Sequence, residues 1–160
     1  SWGMLRGKSF LLQKSAKHFK RLIIEISKLD KEYWAIDADN YDDEAIRSLL
    51  KVKKVITDNL RGNREKASAT LVTKIMLGVF GSVPALDKNF CTAFRLTKNL
   101  TKKVLKKIAA YYQNHRNEFD MSIRTLDFAT GQETSRHYTK AKLIDMVGFV
   151  EGDRINRANR

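Results

Sequence analysis

Between Lys88 and Arg116 the chain carries no acidic residue, and inside that window Arg95, Lys98, Lys102, Lys103, Lys106 and Lys107 recur at spacings of three and four. On a helix, such spacings line cationic groups along one side of a rod. The chemistry open to that row is contact with a polyanion: it neutralises phosphates and releases their counterions. A second row, Lys14, Lys17 and Arg21 with Lys20 and Lys28 nearby, offers the same chemistry, diluted by Glu25. Lysine touches phosphate without reading bases, so specificity has to come from elsewhere. Arg61 and Arg64, flanking a turn at Gly62-Asn63, are the residues suited to supply it.

Other chemistry-bearing residues are sparser. Asp37, Asp39, Asp42, Asp43 and Glu44 form an acidic stretch. It lacks the spacing, central Gly and terminal Glu of an EF-hand loop, so capping of a helix start is expected there rather than cation binding. His18, His115 and His137 are scattered, and none is spaced with a carboxylate or with Cys91 as a metal site requires. No metal and no cofactor is expected. His137, beside Tyr138 and Lys140, could form a proton-transferring cluster, although a lone surface histidine is the simpler expectation. Trp2, Tyr33 and Trp34 stand outside the amphipathic patterns and suit either base stacking or the rim of a core. Neither G-x-S-x-G, G-x-x-x-x-G-K nor G-x-G-x-x-G occurs, which disfavours the common hydrolase and nucleotide-binding classes.

Charge frames these observations. Thirty-one Lys and Arg face eighteen Asp and Glu, for a formal net charge of +13 in 160 residues. A field of that sign draws nucleic acid first, and an acidic protein or anionic surface second. Cys91 is the single cysteine, so no intrachain disulfide can form, and a reducing intracellular setting, cytoplasmic or nuclear/nucleoid, is expected. No apolar stretch approaches the roughly 20 residues of a membrane span.

One segment bears a family likeness. Leu60-Arg61-Gly62, Lys66 and the run from Ala69 to Asp87, with Phe80-Gly81, Pro84 and Asp87 at its end, resemble the hairpin, buried helix and capping aspartate of the helix-hairpin-helix DNA glycosylases. Of that family's hairpin glycines only Gly62 has a counterpart. The resemblance implies a DNA substrate, Asp87 as the group that activates water or stabilises a cationic sugar, and Lys66 or Lys74 as an amine nucleophile.

The elements that must position these groups follow from hydrophobic period and punctuation. With one Pro and eight Gly, the composition predicts a mostly α fold: a compact bundle of five to six helices around a central apolar helix at 66–80, with a small β-hairpin near 123–138. A first helix is predicted over Ser9–Leu29, with Leu12, Ala16, Phe19, Leu22, Ile23 and Ile26 on its apolar face and Ile24 as a misfit. A second is predicted over Asp43–Leu60. Asp87 should cap a helix running to about Tyr112, with a break near Thr97–Asn99. A last helix should start near Thr139 and end by Phe149, stopped by Gly148 or Gly152. Residues 1–152 are thus expected to form one domain and 153–160 a basic, mobile tail.

Three functional classes fit: a nucleic-acid-binding domain using the 95–107 and 14–28 faces, an enzyme acting on nucleic acid through Asp87, and a module docking on an acidic protein or on the acidic segment of another copy. DNA and RNA are equally served, and the sequence sets no oligomeric state.

Overall fold

The computed structural model describes residues 16–60 and 67–159. Within them lie seven α-helices and one two-stranded antiparallel sheet, so the fold is mostly α as the composition predicts. A 3-10 turn, Ala16–Phe19, leads into α1 (Lys20–Ser27). Leu22 and Ile26 of α1 are buried, whereas Ile23 is 61% exposed and Ile24 44%. The apolar face is therefore narrower than a helical wheel suggests, because only α2 packs closely on this helix.

The acidic stretch caps. Asp37 closes a reciprocal capping box with Asn40 around the 3-10 turn Ala38–Asn40, and Asp42 accepts the Glu44 and Ala45 N–H groups at the start of α2 (Asp43–Asn59). α2 buries Ile46, Leu49, Val52 and Ile56, an i, i+3, i+4 stripe that faces the core.

The central apolar helix is two pieces. α3 (Ala69–Ile75) starts on the Ser68 hydroxyl and runs into a π-helical turn, Met76–Phe80, that ends at Gly81 in the left-handed region, φ 67°. Leu71, Val72, Met76, Leu77 and Phe80 are buried, but Gly78 and Val79 face outward, so the segment is core on one side only. Beyond it, the loop to Asp87 is pinned from several directions. The Thr73 hydroxyl accepts the Leu86 N–H (3.0 Å), the Thr70 hydroxyl donates to the Leu86 carbonyl (2.9 Å), and Asp145 accepts the Ala85 N–H (2.9 Å). The Thr139 hydroxyl donates to the Gly81 carbonyl (2.8 Å), and Tyr41 donates to the Ser82 carbonyl.

Asp87 caps α4 (Lys88–Ala93) through the Phe90 N–H, at 3.0 Å. The predicted helix to Tyr112 is divided over a longer stretch than Thr97–Asn99. α4 stops at Phe94, Arg95 takes a left-handed φ of 49°, and α5 (Lys102–Asn114) begins only after Thr101. α6 (Arg116–Phe119) follows at once. β1 (Arg124–Leu126) then pairs with β2 (Glu133–His137), in the region where a hairpin is predicted. Asp127 Oδ1 holds the hairpin turn by accepting from the Ala129 and Thr130 N–H groups and from the Thr130 hydroxyl, which leaves Phe128 fully exposed at the tip.

The last helix corrects the expected stop and the expected tail. α7 (Lys140–Ala158) passes through both Gly148 and Gly152, and residues 153–158 are helical rather than a loose extension. The physical reason is packing. Both glycines are buried against α4: a Cβ at Gly152 would overlap the carbonyl oxygen of Asn89, and one at Gly148 would overlap the Phe90 ring. Two small residues four apart let two backbones approach as side chains cannot, and this α4–α7 seam is the most extensive contact between helices.

Candidate functional site

α5 positions the lysine row. Val104, Leu105, Ile108 and Tyr112 are buried and fix the helix's orientation, which turns Lys102, Lys103, Lys106 and Lys107 to solvent. Their stems and Ala110 border a shallow depression. Lys98 and Arg95 lie exposed in the segment before the helix. Thr101 caps α5 by accepting the Val104 N–H at 3.3 Å. The first turn of α5 holds no acid and two lysines, although a helix start favours negative charge. That arrangement works against helix stability.

The row is not free of countercharge. Asp43, on the first turn of α2, approaches Lys102 at 3.1 Å and Lys106 at 3.4 Å. Hydrogen bonds from those two ammonium groups, Lys102 first, hold its carboxyl below the usual carboxylate range. Further along α2, Lys53 donates to Asn99 Oδ1 (3.0 Å) and to the Leu100 carbonyl (2.8 Å) just before α5 begins. α2 therefore lies beside α5, and exposed Arg47, one helical turn beyond Asp43, extends the basic surface onto a second helix. Among the described residues Lys103 and Lys107 have no ionic partner.

The second row is less coherent. Lys17 and Arg21 are exposed, and Lys28 is paired with Glu25 at 2.7 Å. α1 packs on α2, and the structure does not unite its cations with those of α5 into one face. Lys14, Arg61, Arg64 and Lys66 lie outside the described residues, as does Trp2. Arg47, Lys53 and Asp43 are additions to the site. In the α2 sequence Arg47 lies on the side away from the buried stripe and Lys53 on the stripe's flank, but nothing local says that either adjoins α5.

Asp87 and Lys74, the remaining residues suggested by the glycosylase resemblance, line one groove of about 710 Å³ between α3, the start of α4 and α7. Around them Lys88 and Lys142 are matched by Asp145 and Asp153, so the groove is balanced in charge where the α5 face is not. Asp87 Oδ1 is engaged by the Phe90 N–H, and Lys142 pairs with Asp145 at 3.1 Å.

The aromatic and titratable groups have structural surroundings. Trp34 packs on Phe80 with the rings tilted by 42° and their centroids 4.5 Å apart, and Lys51 stands over Tyr33 at 5.4 Å. His115 bonds the Tyr111 carbonyl through Nδ1 at 2.9 Å within an aromatic cluster, and His137 is exposed on β2. Tyr112 donates to Asp120 at 2.5 Å; burial, then that bond, pushes the phenol up to about 12. Burial likewise raises the Cys91 thiol. Asp37 accepts the Lys140 and Ala141 N–H groups (2.6 and 2.7 Å) as well as that of Ala38, and its desolvation outweighs these bonds and raises its carboxyl. No group of three or more His, Cys, Asp or Glu among the described residues is arranged to hold a metal ion. No helix among them is long and apolar enough to cross a membrane.

Comparison with protein-family models, with curated proteins and with solved structures finds no match to this chain.

Proposed function

We propose that the protein binds nucleic acid through phosphate contacts of the α5 lysine face, extended by Arg47 of α2. The observation that carries this reading is the exposure of Lys102, Lys103, Lys106 and Lys107 on a helix with no acid of its own, against a single carboxylate, Asp43, shared by two of them. Four lysines that track a backbone release counterions, so binding should weaken with salt, each phosphate contact adding about 0.9 to the slope on double-stranded DNA. Lysines contact phosphate without reading base edges, so the mode is largely sequence-tolerant.

The test is fluorescence anisotropy of a labelled duplex over a salt series. Changing Lys102, Lys103, Lys106 and Lys107 to Gln together should flatten the log–log slope by about 3 to 4 with the circular dichroism melt preserved. Affinity that ignores both salt and these substitutions would falsify the reading. Single-stranded RNA in a parallel series sorts the two nucleic acids.

A second reading, a base-excising enzyme, draws on one observation: Asp87 and Lys74 border the same groove. The capping bond of Asp87 and the even charge of the groove weigh against it. Incubation with duplexes carrying damaged bases, wild type against Asp87→Asn, decides. Activity lost without loss of fold supports a catalyst, and a lowered melt with no activity in either protein supports a cap.

A further inference from the structure

One side of α7 faces away from the core and is nonetheless apolar. Met146 is 43%, Phe149 51% and Val150 68% exposed, on a helix whose adjacent side is closed tightly on α4 by Gly148 and Gly152. These three residues, with Lys142, Asp145 and Asp153, form one wall of the groove described above. Positions 142, 145, 146, 149, 150 and 153 recur at three and four, which places them on one face of the helix.

The order of that face is symmetric about its middle. Lys142 stands at one end and Asp153 at the other, about 17 Å apart at 1.5 Å per residue, with Met146 and Phe149 between them at equal distances from the two ends. A twofold interface must be self-complementary, each patch meeting its own copy. Two α7 helices laid antiparallel set Lys142 of each copy against Asp153 of the other and bring Met146 and Phe149 together across the axis. Exposed Val150 then meets the groove wall of the second copy at Asp145. Lys142 already pairs with Asp145 and Asp153 with Arg157 (2.7 Å), so each cross-pair joins two existing pairs into a charge network instead of leaving any member behind.

We propose that this face of α7 is the seam of a symmetric dimer of the chain. Charge selects the occupant. A polyanion is poorly served by a groove whose three carboxylates, Asp87, Asp145 and Asp153, offset Lys74, Lys88 and Lys142. A second copy supplies the apolar cover and the matching ends at once. The inference stands apart from the phosphate-binding reading, because it uses a different helix and the opposite salt response. With a net charge of +13 per chain, two copies repel, and salt screens that repulsion. The two end pairs are screened as well but contribute little, so relief of the net repulsion dominates and pairing through α7 tightens as salt rises, while nucleic-acid binding loosens.

The experiment is sedimentation equilibrium on the full chain, cleared of nucleic acid by nuclease and a high-salt wash, at low and high salt. Expected is a concentration-dependent dimer that tightens with salt. Val150→Asp should raise the dissociation constant at least about tenfold, as removal of a central apolar anchor does, with an unchanged circular dichroism melt. Asp153→Lys alone should weaken the dimer, and adding Lys142→Asp should recover part of the loss, since the exchange also sets position 142 against Asp145 and position 153 against Arg157. Should Val150→Asp lower the melt, the charge exchange still decides. A monomer at every concentration, a dimer indifferent to these substitutions, or a monomeric protein whose groove instead takes up an amphipathic peptide overturns the proposal.

Discussion

The α4–α7 seam and the outer face of α5 are built on opposite terms. At the seam, glycines are admitted so that backbones can touch, and the loop from Gly81 to Asp87 beside it is held by Thr70, Thr73, Thr139 and Asp145. On α5, none of the four lysines has an acid in its own helix, and the one carboxylate that arrives, Asp43, comes from α2 and meets two of them. The first region fixes position; the second leaves charge available. Around the loop from Gly81 to Asp87 most buried polar groups find partners, Ser82 Oγ excepted, whereas the α5 lysines share one carboxylate.

Substitutions can break or sharpen that contrast. The largest effect should come from Gly152→Ala, whose methyl meets a backbone carbonyl that cannot move aside. A loss of about 3 kcal/mol is expected, read as a drop in Tm of roughly 10 °C, with phosphate affinity per folded molecule unchanged. Thr73→Val removes the hydroxyl that accepts the buried Leu86 N–H, and denaturant titration should show a loss of about 1 to 3 kcal/mol. On the other region, Lys103→Gln with Lys107→Gln should alter stability by no more than about 0.5 kcal/mol while flattening the salt dependence of binding by about 2. A large stability loss there would dissolve the contrast.

Asp43→Asn runs the other way. It frees Lys102 and Lys106, so duplex affinity at low salt should rise and the slope steepen, by as much as about 2. The same bond sets a pH dependence. Because the Asp43 carboxyl is held below its ordinary value of 3.8, its contribution is present above that pH and disappears as pH falls through the lowered value. The smallest effect is spectroscopic. Tyr112 should ionise near 12, so its bond to Asp120 contributes fully below pH 10 and is lost as pH rises through 12. A 295 nm titration should show a late phase that Tyr112→Phe removes.

Local periodicity made much of this legible. The lysine face of α5 follows from spacing alone, as do the α2 stripe, the Asp87 cap and the hairpin, because each depends on residues near one another in the chain. What escaped was set by distant neighbours. Gly148 and Gly152 read as helix stops, since glycine usually ends helices, and only the presence of Asn89 and Phe90 opposite them reveals two small contacts inside a longer helix. Ile23 fits an apolar wheel yet is 61% exposed, because no element among the described residues packs over it. The pairing of Asp43 with Lys102 and Lys106, and the place of Arg47 beside them, depend on how α2 lies along α5, which no local pattern encodes.

Asp37 illustrates the same reach in another respect. Its carboxylate serves the turn that follows it and also the first N–H groups of α7, Lys140 and Ala141, more than one hundred residues later. Closing so distant a contact requires that both ends of the chain be assembled together, which favours one cooperative transition over stepwise melting. It also sets a limit on trimming: a fragment that begins after residue 37 would lose the acceptor of the Lys140 and Ala141 N–H groups and keep only the Thr139 cap on Lys142.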